Sequence, residues 1–96
     1  MSKFQLGNLF ASRTVAVTME EQASFSAFVR QAIDRYLRCD WGEMSASDKQ
    51  ANDEAVSSGD ARIFAAYDNP DHLSWKIWII TEADRSYTTI IFPNEY

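Results

Sequence analysis

The fold class is predicted mainly from WKIWIITEADRSYTTIIF, residues 75–92. Two runs rich in β-branched and aromatic residues flank its polar residues 82–86, and such residues favour strands. A similar run lies upstream at residues 62–67, and residues 68–71 supply turn chemistry between them. The prediction is a three-stranded antiparallel meander of residues 62–67, 75–82 and 87–92. Pro93 would stop the last strand and place it at an edge of the sheet.

Helical patterns precede these strands. One segment carries apolar residues at steps of three and four, which is typical of an amphipathic helix: Phe25, Phe28, Val29, Ala32, Ile33, Tyr36 and Leu37. Ser24 is its predicted cap, and Thr14 would cap a shorter helix ending near Gln22. A third helix is expected over residues 46–58, with Ser45 or Ser47 as cap and Gly59 as stop.

These patterns together predict the fold class. Residues 1–96 are expected to form a single α+β domain, in which two to three N-terminal helices pack on a three-stranded antiparallel β-meander. Residues 1–11 are expected to be extended or frayed. An apolar fraction of 46% and an aromatic fraction of 14% are typical of a folded chain.

Cellular location is predicted from features that the sequence lacks. The single cysteine, Cys39, cannot form an internal disulfide, which fits a reducing compartment. There is neither a signal-peptide pattern nor an apolar run long enough for a membrane span. We therefore expect a cytoplasmic protein that does not bind membranes.

The acidic charge is concentrated in residues 40–60. This segment contains a single base, Lys49, and six acids: Asp40, Glu43, Asp48, Asp53, Glu54 and Asp60. A formal net charge of −5 argues against direct binding of nucleic acid, which usually requires a basic patch. Two interpretations of the segment remain open: a solvated surface that keeps the protein soluble, or a surface that binds a basic partner.

Candidate catalytic chemistry is sparse. Glu82, Asp84 and Arg85 lie together in the sequence, but two acids in one tight turn rarely straddle a substrate. The simpler interpretation is a turn hydrogen bond of Asp84 and an ion pair of Arg85 with a neighbouring acid. Arg38 could lower the pKa of the Cys39 thiol, yet nothing brings the only histidine, His72, towards it. We predict no catalytic residues, no metal ligands and no cofactor.

The middle strand is expected to carry apolar residues on both faces, with Trp75, Ile77 and Ile79 opposite Trp78 and Ile80. Two alternatives follow. Either the N-terminal segment packs over the second face, or that face is an exposed aromatic patch for a partner or a homodimer.

The chain resembles a family of short, largely uncharacterised proteins carried by plasmids, integrative elements and phages. The resemblance covers about residues 36–96. Its matching positions are Asp40-Trp41-Gly42, Asp48, Asn52, Gly59, Arg62, Tyr67, the run WIITEADR and the closing Pro93, Glu95 and Tyr96. The chain departs from the pattern at Arg38-Cys39, where a glycine near the tryptophan motif is usual. Asn52 falls on the apolar side of the third helix, so its amide is expected to bond to Asp40, to Trp41 or to the sheet.

The resemblance implies an accessory protein of a mobile genetic element. The leading hypothesis is a non-enzymatic protein that binds a host protein, in its sharper form an inhibitor of a nucleic-acid-binding defence system of the anti-CRISPR or antirestriction type. Its predicted partner-binding residues are Asp40, Trp41, Glu43, Asp53, Glu54, Glu82, Asp84 and Arg85. The alternatives are a small enzyme using the Glu82, Asp84 and Arg85 turn, or a homodimeric accessory protein with Trp75 or Trp78 buried only between chains.

Overall fold

The fold is α+β, and the computed structural model describes residues 3–96. Its regular elements are β1 (Asn8–Ala11), α1 (Arg13–Glu21), α2 (Ala23–Leu37), α3 (Ala46–Ser58), β2 (Ile63–Tyr67), β3 (Ile77–Thr81) and β4 (Tyr87–Ile91). Short 3-10 turns cover Leu73–Trp75 and Pro93–Glu95. The predicted α+β class is confirmed, as are the three helices.

The sheet differs from the predicted three-stranded meander. It has four strands in the order β1-β4-β3-β2. β2, β3 and β4 form the expected antiparallel succession, but β1 adds a fourth strand parallel to β4. The result is a mixed sheet in which β1 and β4, the first and last strands along the chain, are neighbours.

β4 is an interior strand, so the predicted edge position was wrong. Pro93 lies just beyond β4 and begins a 3-10 turn, where its missing amide proton is not needed by the sheet. The sequence of β1 is short and has no clear alternation, which is why it was expected to be extended or frayed. The hydrogen bonds that hold β1 in place join it to residues far away in the sequence. The Asn8 amide donates to the Ser86 carbonyl, and the amide of Ser12, just after β1, donates to the Ile90 carbonyl.

The helix ends follow capping chemistry, in part at other residues than predicted. Ser12, not Thr14, caps α1, and its hydroxyl accepts a hydrogen bond from the Val15 amide. α2 begins at Ala23 without a side-chain cap, so Ser24 lies inside the helix. Ser45 caps α3, and Gly59 ends it in the left-handed conformation as expected.

α1 and α2 pack on one face of the sheet and enclose the core, while α3 lies along the β2 edge. The largest fully buried side chains are Tyr36, Tyr67, Phe25, Ile63, Ile77, Ile79, Val15, Val29, Thr81 and Thr88. Phe4 and Leu6 of the N-terminal segment pack against the same core. In residues 3–96 no helix has the length and apolar character needed to cross a membrane.

A chain of hydroxyl groups runs through this core. The Tyr36 hydroxyl lies 2.7 Å from that of Thr81, which lies 2.7 Å from that of Thr88. Thr88 donates a hydrogen bond to the Leu6 carbonyl at 2.7 Å. Burial raises the pKa of Tyr36, so its hydroxyl stays protonated. These bonds join α2, β3, β4 and the N-terminal segment within the core.

Candidate functional site

The candidate site is the acidic surface, which we define as the exposed residues Asp48, Asp53, Glu54 and Asp60 of α3 and its C-terminal end. Within residues 3–96, none of these four carboxylates forms an ion pair. Glu54 and Asp60 accept hydrogen bonds only from neutral groups, those of Gln50 and Ser58. No cationic side chain in the described part of the chain therefore offsets their formal charges.

The inner side of α3 is fastened to the edge of the sheet by Asn52. Its amide group donates to the Phe64 carbonyl at 2.7 Å and accepts from the Phe64 amide at 3.2 Å. This side chain therefore pairs with β2 as a neighbouring strand would. Asn52 is buried, and of the three partners that the sequence left open for its amide, Asp40, Trp41 or the sheet, it bonds to the sheet.

A second attachment joins α3 to the segment after α2. The Trp41 indole donates to a carboxylate oxygen of Asp53 at 2.9 Å. The Trp41 ring is only 2% exposed and packs against Phe4 and Tyr36. Trp41 thus lies in the core, and Asp53 is both an exposed carboxylate and an anchor of the helix.

The other predicted acids of the segment also have internal contacts. Asp40 forms an ion pair with Arg35 at 2.8 Å, and this hydrogen bond is the main cause that lowers the pKa of the Asp40 carboxyl and raises the pKa of Arg35. Glu43 accepts a hydrogen bond from the Asp68 amide at 2.9 Å. Asp40 and Glu43 therefore brace the fold, Asp48, Glu54 and Asp60 belong only to the acidic surface, and Asp53 does both.

Arg85 closes the C-terminal end of α3, so its predicted ion pair with a neighbouring acid was wrong. Its guanidinium donates to the Ala55 carbonyl at 2.8 Å and to the Ala61 carbonyl at 2.7 Å. It also reaches the carbonyls of Glu82 and Ala83 in its own turn. A planar fork with several donors can satisfy carbonyls from two segments at once.

Asp84 makes the turn hydrogen bond that the sequence predicted. Its carboxylate accepts from the Ser86 amide at 2.9 Å, and hydrogen bonding by Ser86 lowers the pKa of Asp84. Since Asp84 bonds within its own turn and Arg85 reaches towards α3, the two side chains do not converge with Glu82 on a common point.

Replacing Arg85 with lysine should weaken the attachment of the C-terminal end of α3 to the hairpin. A lysine has no fork to bridge carbonyls of α3 and of the hairpin, so we expect a loss of about 1–2 kcal/mol in the free energy of unfolding. Urea denaturation would measure it, with amide exchange at the end of α3 as a local readout. Arg62→Lys is the matched control because the Arg62 side chain is exposed and bonds to Tyr96. Equal losses in both variants would contradict this role of Arg85.

Cys39 has a backbone role that the sequence did not reveal. It adopts a positive φ of 63° after α2, where the Asp40 amide bonds to the Arg35 carbonyl and the Cys39 amide to the Tyr36 carbonyl. This arrangement is a Schellman motif, whose left-handed position usually holds glycine. Burial raises the pKa of the Cys39 thiol, the opposite of the lowering that Arg38 could have caused, and the side chain is partly buried after the end of α2, in agreement with the simpler interpretation of a small, partly buried residue at a helix end.

His72 lies near the opposite end of α2 from Cys39. Its ring stacks on that of Trp75 at 4.0 Å and lines a cleft of about 410 Å³ beside Ser24 and Phe28. These residues belong to the N-terminal half of α2, whereas Cys39 follows its C-terminal end. The thiol and the imidazole are therefore not brought together. Residues 3–96 contain no group of three or more potential metal ligands.

The second face of the sheet carries aromatic side chains. Phe64, Trp78 and Tyr96 form one group of rings with centroids 4.9–6.3 Å apart, and Phe10 lies 6.1 Å from Tyr87. Phe10 is 53% exposed. The alternative that the N-terminal segment covers this face was wrong, because residues 8–11 join the sheet as β1. Trp75 and Trp78 are already half-buried within one chain.

The protein is thus a small α+β domain whose acidic helix, α3, lies along one edge of a mixed sheet. Compared with known proteins, the chain matches no protein-family model, no curated protein and no solved structure.

Proposed function

We propose that this domain is a non-enzymatic binding protein that recognises a basic partner protein through its acidic surface. The observation that carries the proposal is the way α3 is held. Asn52 and Arg85 bond its inner side and its C-terminal end to the rest of the fold, while Asp48, Glu54 and Asp60 project into solvent without an ion pair in the described part of the chain.

This arrangement suits charge-driven recognition. Carboxylates on a fixed helix need little ordering when a partner binds, which lowers the cost of association. Opposite potentials also accelerate encounter and select against acidic competitors. The acids that brace the fold would keep their internal contacts throughout.

The partner class that fits best is a protein with a basic channel for nucleic acid. A row of carboxylates can occupy sites that otherwise bind phosphates. The resemblance to proteins carried by mobile elements supports a host defence protein as the target, with inhibition as the outcome. The rival proposal of a small enzyme is weaker, because Arg85 donates its hydrogen bonds to backbone carbonyls and Asp84 accepts one from a backbone amide.

The test is affinity capture from host lysate with the charge-reversal variant Glu54→Lys/Asp60→Lys. Neither side chain anchors α3, so this pair is a better choice than Asp53, which accepts from Trp41. We expect the unmodified domain to retain nucleic-acid-binding proteins that are released by salt or duplex DNA. The variant should retain about tenfold less of these proteins, or less still.

The matched control is Glu20→Lys/Glu21→Lys, which makes the same change of charge at the exposed end of α1. It should retain the same proteins as the unmodified domain. If both variants lose retention equally, net charge rather than the acidic surface is responsible. If neither variant loses it, the acidic surface is not the binding site.

A further inference from the structure

The two edges of the sheet differ in how their backbone groups are satisfied. At the β2 edge, Asn52 bonds both backbone groups of Phe64, and the Glu43 amide donates to the Ala66 carbonyl at 2.8 Å. Gly42 pairs with Ala66 as an isolated bridge next to this edge. The β2 edge is therefore closed to another strand.

The backbone hydrogen bonds of residues 3–96 give the outer side of β1 no such cover. The Asn8 amide donates to the carbonyl of Ser86, just before β4, and the Ser12 amide donates to the carbonyl of Ile90 in β4. In the alternating pattern of a strand, the backbone groups of Leu9 and Ala11 therefore point to the outer side. In residues 3–96 no second strand pairs with that side. The strand has no charged residue and no proline, and its side chains are exposed, with Leu9 at 46% and Phe10 at 53%. Such an edge is a template for strand addition.

We propose that β1 pairs antiparallel with β1 of a second copy of this chain, across a two-fold axis, to form a continuous eight-stranded sheet. With Phe10 opposite Phe10 of the second copy, Leu9 lies opposite Ala11. The outward amide and carbonyl groups of Leu9 then meet those of Ala11, so both copies satisfy their edges identically. The two Phe10 rings, each already beside Tyr87, form a cross-strand aromatic pair.

The distribution of charge favours a second copy at this edge. The chain carries a net charge of −5, but its acidic surface lies on α3, which is bonded to β2 at the opposite edge. In the paired sheet, the two β2 strands are separated by seven strand spacings, which is a distance of about 34 Å. This distance is several times the Debye length of about 8 Å at physiological salt, so the acidic surfaces would hardly repel each other. Both would remain free to bind a partner.

The test is sedimentation equilibrium of the chain from about 10 μM to about 1 mM, the range in which weak interfaces dissociate. We expect a reversible monomer–dimer equilibrium. Leu9→Pro removes the outward amide without touching a bond to β4, and it should weaken dimerisation by about tenfold or more. Leu9→Ala keeps that amide and should weaken dimerisation less.

Circular dichroism would establish that the Leu9→Pro monomer stays folded. Independently of any variant, amide exchange at Leu9 and Ala11 should slow as the concentration of the unmodified chain rises, while exchange at Phe10 should change little. A chain that stays monomeric to about 1 mM would overturn the proposal. A dimer that forms equally well in the folded Leu9→Pro variant, or exchange at Leu9 and Ala11 that ignores concentration, would also overturn it.

Discussion

Replacing Gly42 with alanine is expected to destabilise the domain by about 3 kcal/mol or more. Gly42 has a φ of 74°, and an added Cβ would overlap the Ala66 carbonyl and lie 2.7 Å from the Tyr67 ring. The obstacle on one side is backbone of β2, which cannot swing away as a flexible side chain would. The segment from Asp40 to Glu43 would have to leave the β2 edge, and Trp41 would lose its place in the core. Urea denaturation followed by tryptophan fluorescence measures the effect.

Gly59→Ala separates steric overlap from backbone conformation. Gly59 has almost the same φ, 73°, but nothing lies within 4 Å of an added Cβ. This variant should cost only about 1 kcal/mol, the penalty of a side chain in the left-handed region. If the two variants lose similar stability, the close packing of Gly42 against β2 is not what makes a glycine necessary there.

Replacing Asn52 with alanine is the second change with a large expected effect, a loss of about 2–4 kcal/mol in the free energy of unfolding. It removes both hydrogen bonds to Phe64 and leaves two half-buried backbone groups without their partner. It also detaches α3 from the sheet at its midpoint. Amide exchange of α3 should therefore accelerate more than exchange in α2, and binding through the acidic surface should weaken although no charge has changed.

Two companion variants make this prediction specific. Gln50→Ala lies on the exposed side of the same helix, where its amide bonds only to Glu54, and should cost less than about 0.5 kcal/mol. Asn52→Asp keeps the shape but cannot donate to the Phe64 carbonyl when ionised, so it should destabilise at neutral pH nearly as much as alanine does. An aspartate that preserves stability would show that the paired hydrogen bonds are not the source of the effect.

Much of the fold could be predicted because its signals are local. The apolar stripe from Phe25 to Leu37 follows the helical period, and Ser45 and Gly59 bracket α3 through hydrogen bonds within a few residues. Runs of β-branched residues likewise predicted β2, β3 and β4 to within a few residues. For the same reason the turn bond of Asp84 was predicted correctly, since it links neighbours in sequence.

The wrong predictions concern residues whose hydrogen-bond partners are distant in the sequence. β1 has a neutral four-residue sequence whose strand conformation depends on β4, nearly 80 residues away. Arg85 was expected to bond to an acid, yet the carbonyls at the end of α3 lie closer in the folded chain. The local charge pattern grouped Asp40 and Glu43 with the acids of α3, and only their contacts with Arg35 and Asp68 separate them.

Local patterns were enough to predict the helices, three of the four strands, the acidic character of residues 40–60 and the position of Asn52 on the apolar side of α3, because periodicity, capping and turn chemistry act over a few residues. Three features follow only from the folded chain: β1 lies parallel to β4, the β2 edge is closed while the β1 edge pairs with no second strand in residues 3–96, and Asp48, Glu54 and Asp60 face solvent. Those outcomes depend on which distant backbone groups find partners when the core closes, and no local pattern records them.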